Sequence, residues 1–549
     1  VYESCEVTGT LTKAMADELG LCEGTIVVGG AGDNAAAAVG TGVVEDGKAF
    51  TTIGTSGVVF AHTSDIAIDK LGRVHTCCAA VPNTWHVMGV TQGAGLSLKW
   101  FRDNFCMTEK ETAKLMGVDE YYLMDKQAEA VPVGSNRLLY LPYLMGERTP
   151  HLDPDARGMF FGLSAIHTRR DMLRAVMEGV SYSLRDCVEV FHEMGVNVSD
   201  MMACGGGGSS PLWRSMLADL FNSNVKTAAS KEGPALGVGI LAAVGAGIYS
   251  SVPEACGAIV KTDKIQAPVE ANVGEYEKYY QLYREIYPAL KALMTSFQTG
   301  AGLNMEWTGL GNYTRVFKDK IFIQSLINCV VYLIIQVPIM LVLALILASA
   351  LNDRKLKCRG LFRTAIFLPC ATSLVSYAII FRSLFATDGF INTILVKIGV
   401  LDEAFNFLSN ATAAKAIIIL ALVWRWTGYN MVFYLAGLQN IDYSVYEAAK
   451  IDGATPFHTF TRITVPLLKP TILMTAIMST NGTLQLFDES VNLTAGGPGT
   501  ATMTMSHYIY NQAFLGVPNF GYTSAMAFVI LIMVAILALV QLKVGEKDE

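Results

Sequence analysis

The stretch FQTGAGLNMEWTGLGNYTRVFKDK, residues 297–320, divides the chain into two parts of different character. Ahead of it the sequence is rich in glycine and short motifs, as in a soluble α/β protein. Beyond it, long apolar runs follow one another to the C-terminus. The length of 549 residues implies about three or four domains at roughly 150 residues each. The hydrophobic share is 52%, high for a soluble protein, and the excess lies after residue 320. A net charge of -7, with no basic block of the kind phosphate backbones require, argues against a nucleic-acid partner. The 11 cysteines are scattered without a C-x-x-C pair, and Cys77 and Cys78 are adjacent, a poor spacing for a shared zinc. Reduced thiols in a cytoplasmic setting are expected. The chain opens on Val1 in mid-pattern with no signal peptide, so it is expected to begin inside a domain.

Working back from the dividing stretch, the first part alternates strands, glycine turns and helices. Residues 1–20 alternate polar and apolar and then become helical. Thr25–Val28 predicts a buried strand, followed by a glycine turn and an alanine-rich helix entered through Asp33 and Asn34. Asp33 reads either as a helix cap or as a carboxylate at a glycine-lined cleft. AFTTIGTSGVVFA predicts strand, Gly-Thr-Ser-Gly turn, strand, with turn amides free to meet a phosphate. A turn at Gly93–Gly95 leads into an amphipathic helix. Residues 138–163 are irregular, 169–193 a helix, and ACGGGGSSPLWRSMLADLF a strand, glycine run and helix. Such a run either is a flexible turn or admits a nucleotide to the helix N-terminus.

GGAGDNAAAAVG, TTIGTSG, LPYLMGERTP, GGGGSSPLWRSMLAD and EGPALG, in this order, resemble the C-terminal half of the FGGY carbohydrate kinases, in particular the xylulokinase-like members. The family's second signature is matched by Gly158, Phe160, Gly162 and Leu163 and then, after seven intervening residues, by Asp171, Met172, Ala175, Val176, Met177 and Glu178. The resemblance covers residues 1 to about 295 and implies an actin-like, ribonuclease H-like ATPase lobe with ATP and Mg2+ as cofactors. It implies Asp33 as the base toward a sugar hydroxyl. It implies Gly54, Thr55, Ser56 and Gly93 beside the phosphates, and Gly206 and Ser210 beside the adenosine. Gly208 and Ser209 stand where members often carry Ala and Arg. Glu147, Arg148 and Thr149 are expected to be structural at the lobe interface. The family's first phosphate loop, its metal-associated Asp and most sugar contacts belong to an N-terminal lobe that this sequence does not match. The chain alone is therefore expected not to convert D-xylulose to xylulose 5-phosphate, and the metal site is expected to be incomplete.

Working forward, apolar segments at about 321–351, 361–386, 413–438, 470–490 and 522–542 each approach or exceed the roughly 20 residues that span a bilayer core. An all-α polytopic membrane domain of about five transmembrane helices is expected, with Pro338 and Pro369 tolerated inside spans. Arg354, Lys355, Lys357, Arg359 and Arg363 place the loop after the first span inside. Asp388, Asp402 and Glu403 mark an outer loop. Lys450, Arg462 and Lys469 mark an inner one, and the stretch from TAGGPGT to Tyr522 lies outside. Lys543 and Lys547 keep the tail inside.

The inner loop YEAAKIDGATPFHTFTRITVPLLKP, with Glu447-Ala448-Ala449, Gly453 and Ile463-x-x-Pro466, resembles the EAA loop of importer-type ABC transporter permeases. GLGNYTRVF, RGLFRTAIFLP, FDESVNLTAGGPG and FGYTSAMAF extend the resemblance over about 303–545. It implies a sugar-carrying subfamily, with glycerol phosphate and oligosaccharides among its substrates. Its partners are a separate ABC ATPase subunit, a second permease subunit and an extracytoplasmic solute-binding protein. Glu447, Ala448 and Gly453 would shape the surface that couples to the ATPase subunit. Arg425, Asn430, Asn481 and Gln485, polar inside spans, are candidates for the sugar route or, equally, for helix–helix hydrogen bonds.

The resulting divisions are a kinase lobe at 1–296, a junction and external segment at 297–320, and a permease domain at 321–549 with its EAA loop at 446–470. Five spans with an inner tail put residues 1–300 on the outer face of a bacterial inner membrane, whereas the kinase family works in the cytoplasm. The expectation is a joining of fragments of two carbohydrate-metabolism proteins. The alternatives are a sugar-transport subunit with a vestigial soluble domain and a membrane-anchored kinase.

Overall fold

The computed structural model describes residues 1–546 apart from 231, 302–303, 354–355 and 516. Arg354, Lys355 and Lys547, used above for sidedness, lie outside the described residues. The chain forms two compact units, Val1–Pro288 and Ala289–Glu549.

The first unit is built on a seven-stranded sheet. Its order is Thr262–Gln266, Val225–Ala228, Val198–Cys204, Gly47–Ile53, Gly57–Thr63, Trp85–Thr91, His75–Cys78. Val198–Cys204 runs parallel to both its neighbours, and the remaining pairs are antiparallel. Alternating side chains serve two cores, as the twofold period of a strand requires. Phe50, Phe60 and Met202 face helix Asp33–Gly40, where Ala38 meets them. Ala49, Val59, Ala61, Val87 and Met201 face helix Arg169–Glu193. That helix is entered through a reciprocal cap between Thr168 and Asp171, and most of its length is buried. This three-layer α/β arrangement is the actin-like kinase lobe that the motifs imply. One expectation fails. Thr25–Val28 is no buried strand: Ile26–Val28 pairs only with Val7–Thr10 in a separate small sheet, and Val27 is exposed. Branched side chains favour extended backbone without dictating burial.

The second unit is helical. Among the described residues, three helices are long and apolar enough to cross a membrane: Lys320–Asn352, Ala411–Gln439 and Phe520–Gly545. Two bent pairs raise the number to five if each counts as one span. They are Arg359–Ala371 with Leu374–Leu384, bent by 96°, and Pro456–Leu467 with Lys469–Leu484, bent by 70°. The expected continuous segment at 361–386 is therefore broken, and the one at 470–490 is bent away from the helix before it and stops early. The first breaks at Thr372 and Ser373, between Arg359–Ala371 and Leu374–Leu384. The second ends at Leu484, and Asp488–Asn492 forms a separate turn of helix.

Residues 297–320 are folded rather than a bare linker. Gln298–Ala301 pairs with Asn304–Trp307, and helix Gly311–Val316 follows. The Asn312 amide donates to the carbonyls of Ser296 and Gln298 at 3.0 and 2.7 Å. Asp319 caps helix Lys320–Asn352 and accepts from the hydroxyls of Tyr508 and Tyr522 at 2.7 and 2.6 Å. The start of the first long helix is thus tied to the last one.

Candidate functional site

In the first unit a cavity of about 630 Å3 opens between the Gly54–Thr55 turn, the start of helix Ala94–Phe105 and the Gly206–Ser210 run. Tyr121, Tyr122 and Trp213 give it aromatic walls, and Asp119, Asp125 and Lys99 add charge. Four of the predicted residues, Gly54, Thr55, Gly206 and Ser210, line it together. Ser210 caps helix Pro211–Phe221 by accepting from Trp213 N, and donates to Asp125 Oδ2 at 2.6 Å. Burial pushes the Asp125 carboxyl above its ordinary range, with the Ser210 hydroxyl opposing. At Gly206 a methyl group would meet nothing within 4 Å, so that wall stays open to a ligand.

Ser56, Gly93 and Asp33 are absent from the lining. Gly93 is buried, and a Cβ there would stand 1.9 Å from the Pro142 carbonyl oxygen. Backbone packing explains this glycine. The turn amides are only partly free, since Gly54 N–H donates to Ser56 O at 3.0 Å. The carbonyls of Gly54 and Thr55 accept from Gly95 and Leu96 N–H and cap the following helix. Asp33 is exposed at the first position of its helix, and its Oδ1 accepts from Asn34 N at 2.8 Å.

Glu178 of the signature, and Glu147 of the LPYLMGERTP motif, are buried in hydrogen-bond networks within the unit. Glu178 is fully buried, pairs with Arg174 at 2.8 Å and accepts from Ser135 and from the Gly134 amide. Glu147 accepts from Thr91, Gln92, Arg148 and Ser183, and burial pushes it up to about 7. No group of three or more His, Cys, Asp or Glu that could hold a metal exists among the described residues. The expected Mg2+ therefore finds no cluster of side-chain ligands among the described residues.

In the second unit a cavity of about 330 Å3 is lined by Trp426, Tyr429 and Phe487 and by Gln336, Asn430, Ser479, Thr483 and Gln485. Asn430 and Gln485 are thus placed where the sequence suggested a sugar route. Asn481 is exposed outside the lining and accepts from Gln485 Nε2 at 2.8 Å. Arg425 also lies outside it. Its guanidinium donates to the carbonyls of Pro369, Cys370 and Thr372 at 3.3, 3.3 and 2.9 Å, and it lies 4.6 Å from the Tyr377 ring centre. The Pro369 carbonyl also accepts from the Thr372 N–H and hydroxyl, and Arg425 supplies donors to the Cys370 and Thr372 carbonyls where the second apolar segment breaks. Sequence reasoning missed Gln336, Trp426 and Tyr429. Gln336 carried the signal of a polar side chain inside an apolar span, and Trp426 and Tyr429 only that of helical spacing, three and four residues apart with Asn430 on one face.

The inner loop is a hairpin of helices Tyr443–Ile451 and Pro456–Thr459. Asp442 and Thr455 cap them, and Gly453 stands between them at φ +75°, a conformation that favours glycine. Glu447 and Ala448 are exposed, as are Ile451 and Phe457 at 86% and 75%.

Residues 310–545 match the family described as binding-protein-dependent transport system inner membrane component. The lactose transport system permease protein LacF of Rhizobium radiobacter is 51% identical over 258 residues, which cover 47% of this chain and 87% of that protein. The chain belongs to this permease family. Residues 49–246 match the FGGY family of carbohydrate kinases, C-terminal domain. Xylulose kinase of Bacillus subtilis (strain 168) is 38% identical over 299 residues, 54% of this chain and 58% of that enzyme. The chain thus spans little more than half the length of the kinases it matches. A crystal structure of xylulose kinase from Rhodospirillum rubrum aligns over 53% of this chain and 57% of its own, at 28% identity and a TM-score of 0.49. A xylulose kinase-like FGGY domain and a sugar permease domain therefore share one polypeptide, and the second makes it a multi-pass membrane protein.

Proposed function

We propose that the chain serves as the membrane subunit of a sugar importer, carrying a nucleotide-binding kinase lobe that does not transfer phosphate by itself. The observation that carries the transport reading is the capped hairpin 443–459, with Ile451 and Phe457 held out in solvent. Exposed apolar side chains on a rigid, polar-rimmed turn suit a protein partner. The partner is an ABC ATPase subunit, with Glu447, Ala448 and Gly453 shaping the contact. A second permease subunit and an extracytoplasmic solute-binding protein complete the importer. The sugar passes Asn430 and Gln485 beside Trp426 and Tyr429, because sugar C–H faces stack on aromatic rings while amides pair with hydroxyls.

In the kinase lobe, Gly54, Thr55, Gly206 and Ser210 hold ATP, with Asp125 behind Ser210. Asp33 stands exposed and outside that cavity, so a sugar hydroxyl beside it has no shielded path to a bound phosphate. Positioning is most of phosphoryl transfer. The domain limits at 296 and 321, and the joining of two carbohydrate-metabolism proteins, form part of this reading. The charge rule puts residues 1–300 on the outer face of the inner membrane.

The test combines two assays on the full chain. Ile451→Asp with Phe457→Asp abolishes ATP-driven sugar uptake and co-purification of the ATPase subunit while leaving the chain folded. Uptake unaffected by both changes refutes the transport reading. ATP-dependent phosphorylation of D-xylulose by the purified chain refutes the statement about the lobe.

A further inference from the structure

The cavity of the second unit has an uneven charge. Its lining includes Asp488 and Glu489, and among the described residues it includes no lysine, arginine or histidine. Both carboxylates come from the short helix Asp488–Asn492, which follows the broken end of helix Lys469–Leu484. Glu489 is 3% exposed and accepts from the Tyr377 hydroxyl. Arg425 packs on that tyrosine ring, and its two terminal guanidinium nitrogens donate to the carbonyls of Pro369, Cys370 and Thr372. Arg425 therefore offsets the buried Glu489 from outside the cavity lining. Asp488 is partly exposed at the wall. The rest of the lining is neutral: three aromatic rings, the amides of Gln336, Asn430 and Gln485, and the hydroxyls of Ser479 and Thr483. The Thr483 hydroxyl is itself bonded to Gln336 Oε1 at 3.1 Å.

We infer that this cavity selects an uncharged, hydroxyl-rich sugar and rejects phosphorylated and uronic sugars, with Asp488 as the residue that sets the discrimination. The inference rests on the transport reading above and narrows its substrate class. A carboxylate accepts hydrogen bonds from sugar hydroxyls and gains strength by being charged. The same carboxylate repels an anionic substituent, and no cation in the lining compensates. Like charges brought together in a desolvated site cost several kcal/mol. The expected discrimination against an anionic sugar of the same ring is therefore at least about tenfold in Kd.

The experiment uses the full chain in lipid nanodiscs and the change in tryptophan fluorescence on ligand addition, with Trp426→Phe identifying the signal from the cavity. The probes are methyl β-D-glucopyranoside and methyl β-D-glucuronide. The neutral glycoside is expected to change the Trp426 signal at concentrations at least about tenfold below those at which the glucuronide does. Asp488→Asn is expected to narrow the difference by strengthening the glucuronide. A Glu489→Gln variant reads whether the buried carboxylate contributes. Equal or tighter binding of the glucuronide overturns the charge selection and leaves the sugar reading standing. An unchanged preference in Asp488→Asn overturns the assignment to that residue. A Trp426 signal that neither probe alters overturns the sugar reading of the cavity and this inference with it.

Discussion

Asp186 offers a quantitative test of how the kinase lobe is packed. It sits on helix Arg169–Glu193, is buried, and its Oδ1 accepts from the Tyr280 hydroxyl at 2.7 Å. Burial pushes its carboxyl from an ordinary 3.8 up to about 7, with the Tyr280 hydrogen bond and the Arg284 charge opposing. The folded state therefore holds the proton more tightly than the unfolded chain does. Below pH 4 the group is neutral in both states and costs nothing. Between about pH 4 and 7 the unfolded chain ionises while the fold keeps the neutral acid, so stability falls steadily with rising pH. Above pH 7 the full penalty applies, and a rise of about 3 in pKa corresponds to about 4 kcal/mol. Asn at this position keeps an acceptor for Tyr280 and carries no charge. Asp186→Asn is thus expected to match the parent near pH 4 and to exceed it by up to about 4 kcal/mol at pH 8. Pulse proteolysis across a urea series, reading cleavage within residues 169–193 of the full chain, measures the difference at each pH. Parallel pH profiles for parent and variant, or a variant less stable at pH 8, would refute the argument.

Three further outcomes follow from particular contacts. Arg425→Met removes the donors to the Cys370 and Thr372 carbonyls and should lower stability in nanodiscs by about 2–4 kcal/mol, read as a fall in melting temperature. A stable variant that loses only sugar uptake would instead make Arg425 part of the route. Gly93→Ala drives a methyl group into the Pro142 carbonyl and should cost about 2 kcal/mol or more in the same melting assay, with or without nucleotide. Gly206→Ala, where a Cβ meets nothing, should leave the melting temperature nearly unchanged but weaken a fluorescent ATP analogue; equal affinity would remove Gly206 from the nucleotide wall.

Much of the fold was legible from pattern. The helix at 169–193 has the expected limits because its apolar stripe and its Thr168–Asp171 cap are local signals. The turn at Gly453 was readable because a positive φ restricts the residue type. What depended on distant partners was not readable. Nothing in the local sequence says that the Pro142 carbonyl fills the space beside Gly93, so a packing glycine resembled a phosphate glycine. Arg425 inside an apolar run signalled a costly charge without saying that the carbonyls at a helix break absorb it. Hydropathy likewise gave five apolar segments but could not register the bends after Ala371 and before Lys469. A window average is blind to direction.

The account depends most on the membrane crossings, and the protein's own thiols read them. Cys77 is exposed in the first unit, and Cys358 is exposed in the basic loop after the first long helix. Single-cysteine variants treated with a membrane-impermeant maleimide in intact spheroplasts report which side each thiol faces. The account predicts labelling of Cys77 without permeabilisation and of Cys358 only after it. Labelling of both under the same condition would contradict an odd number of crossings between residue 77 and the basic loop, and with it the proposed arrangement of lobe and permease.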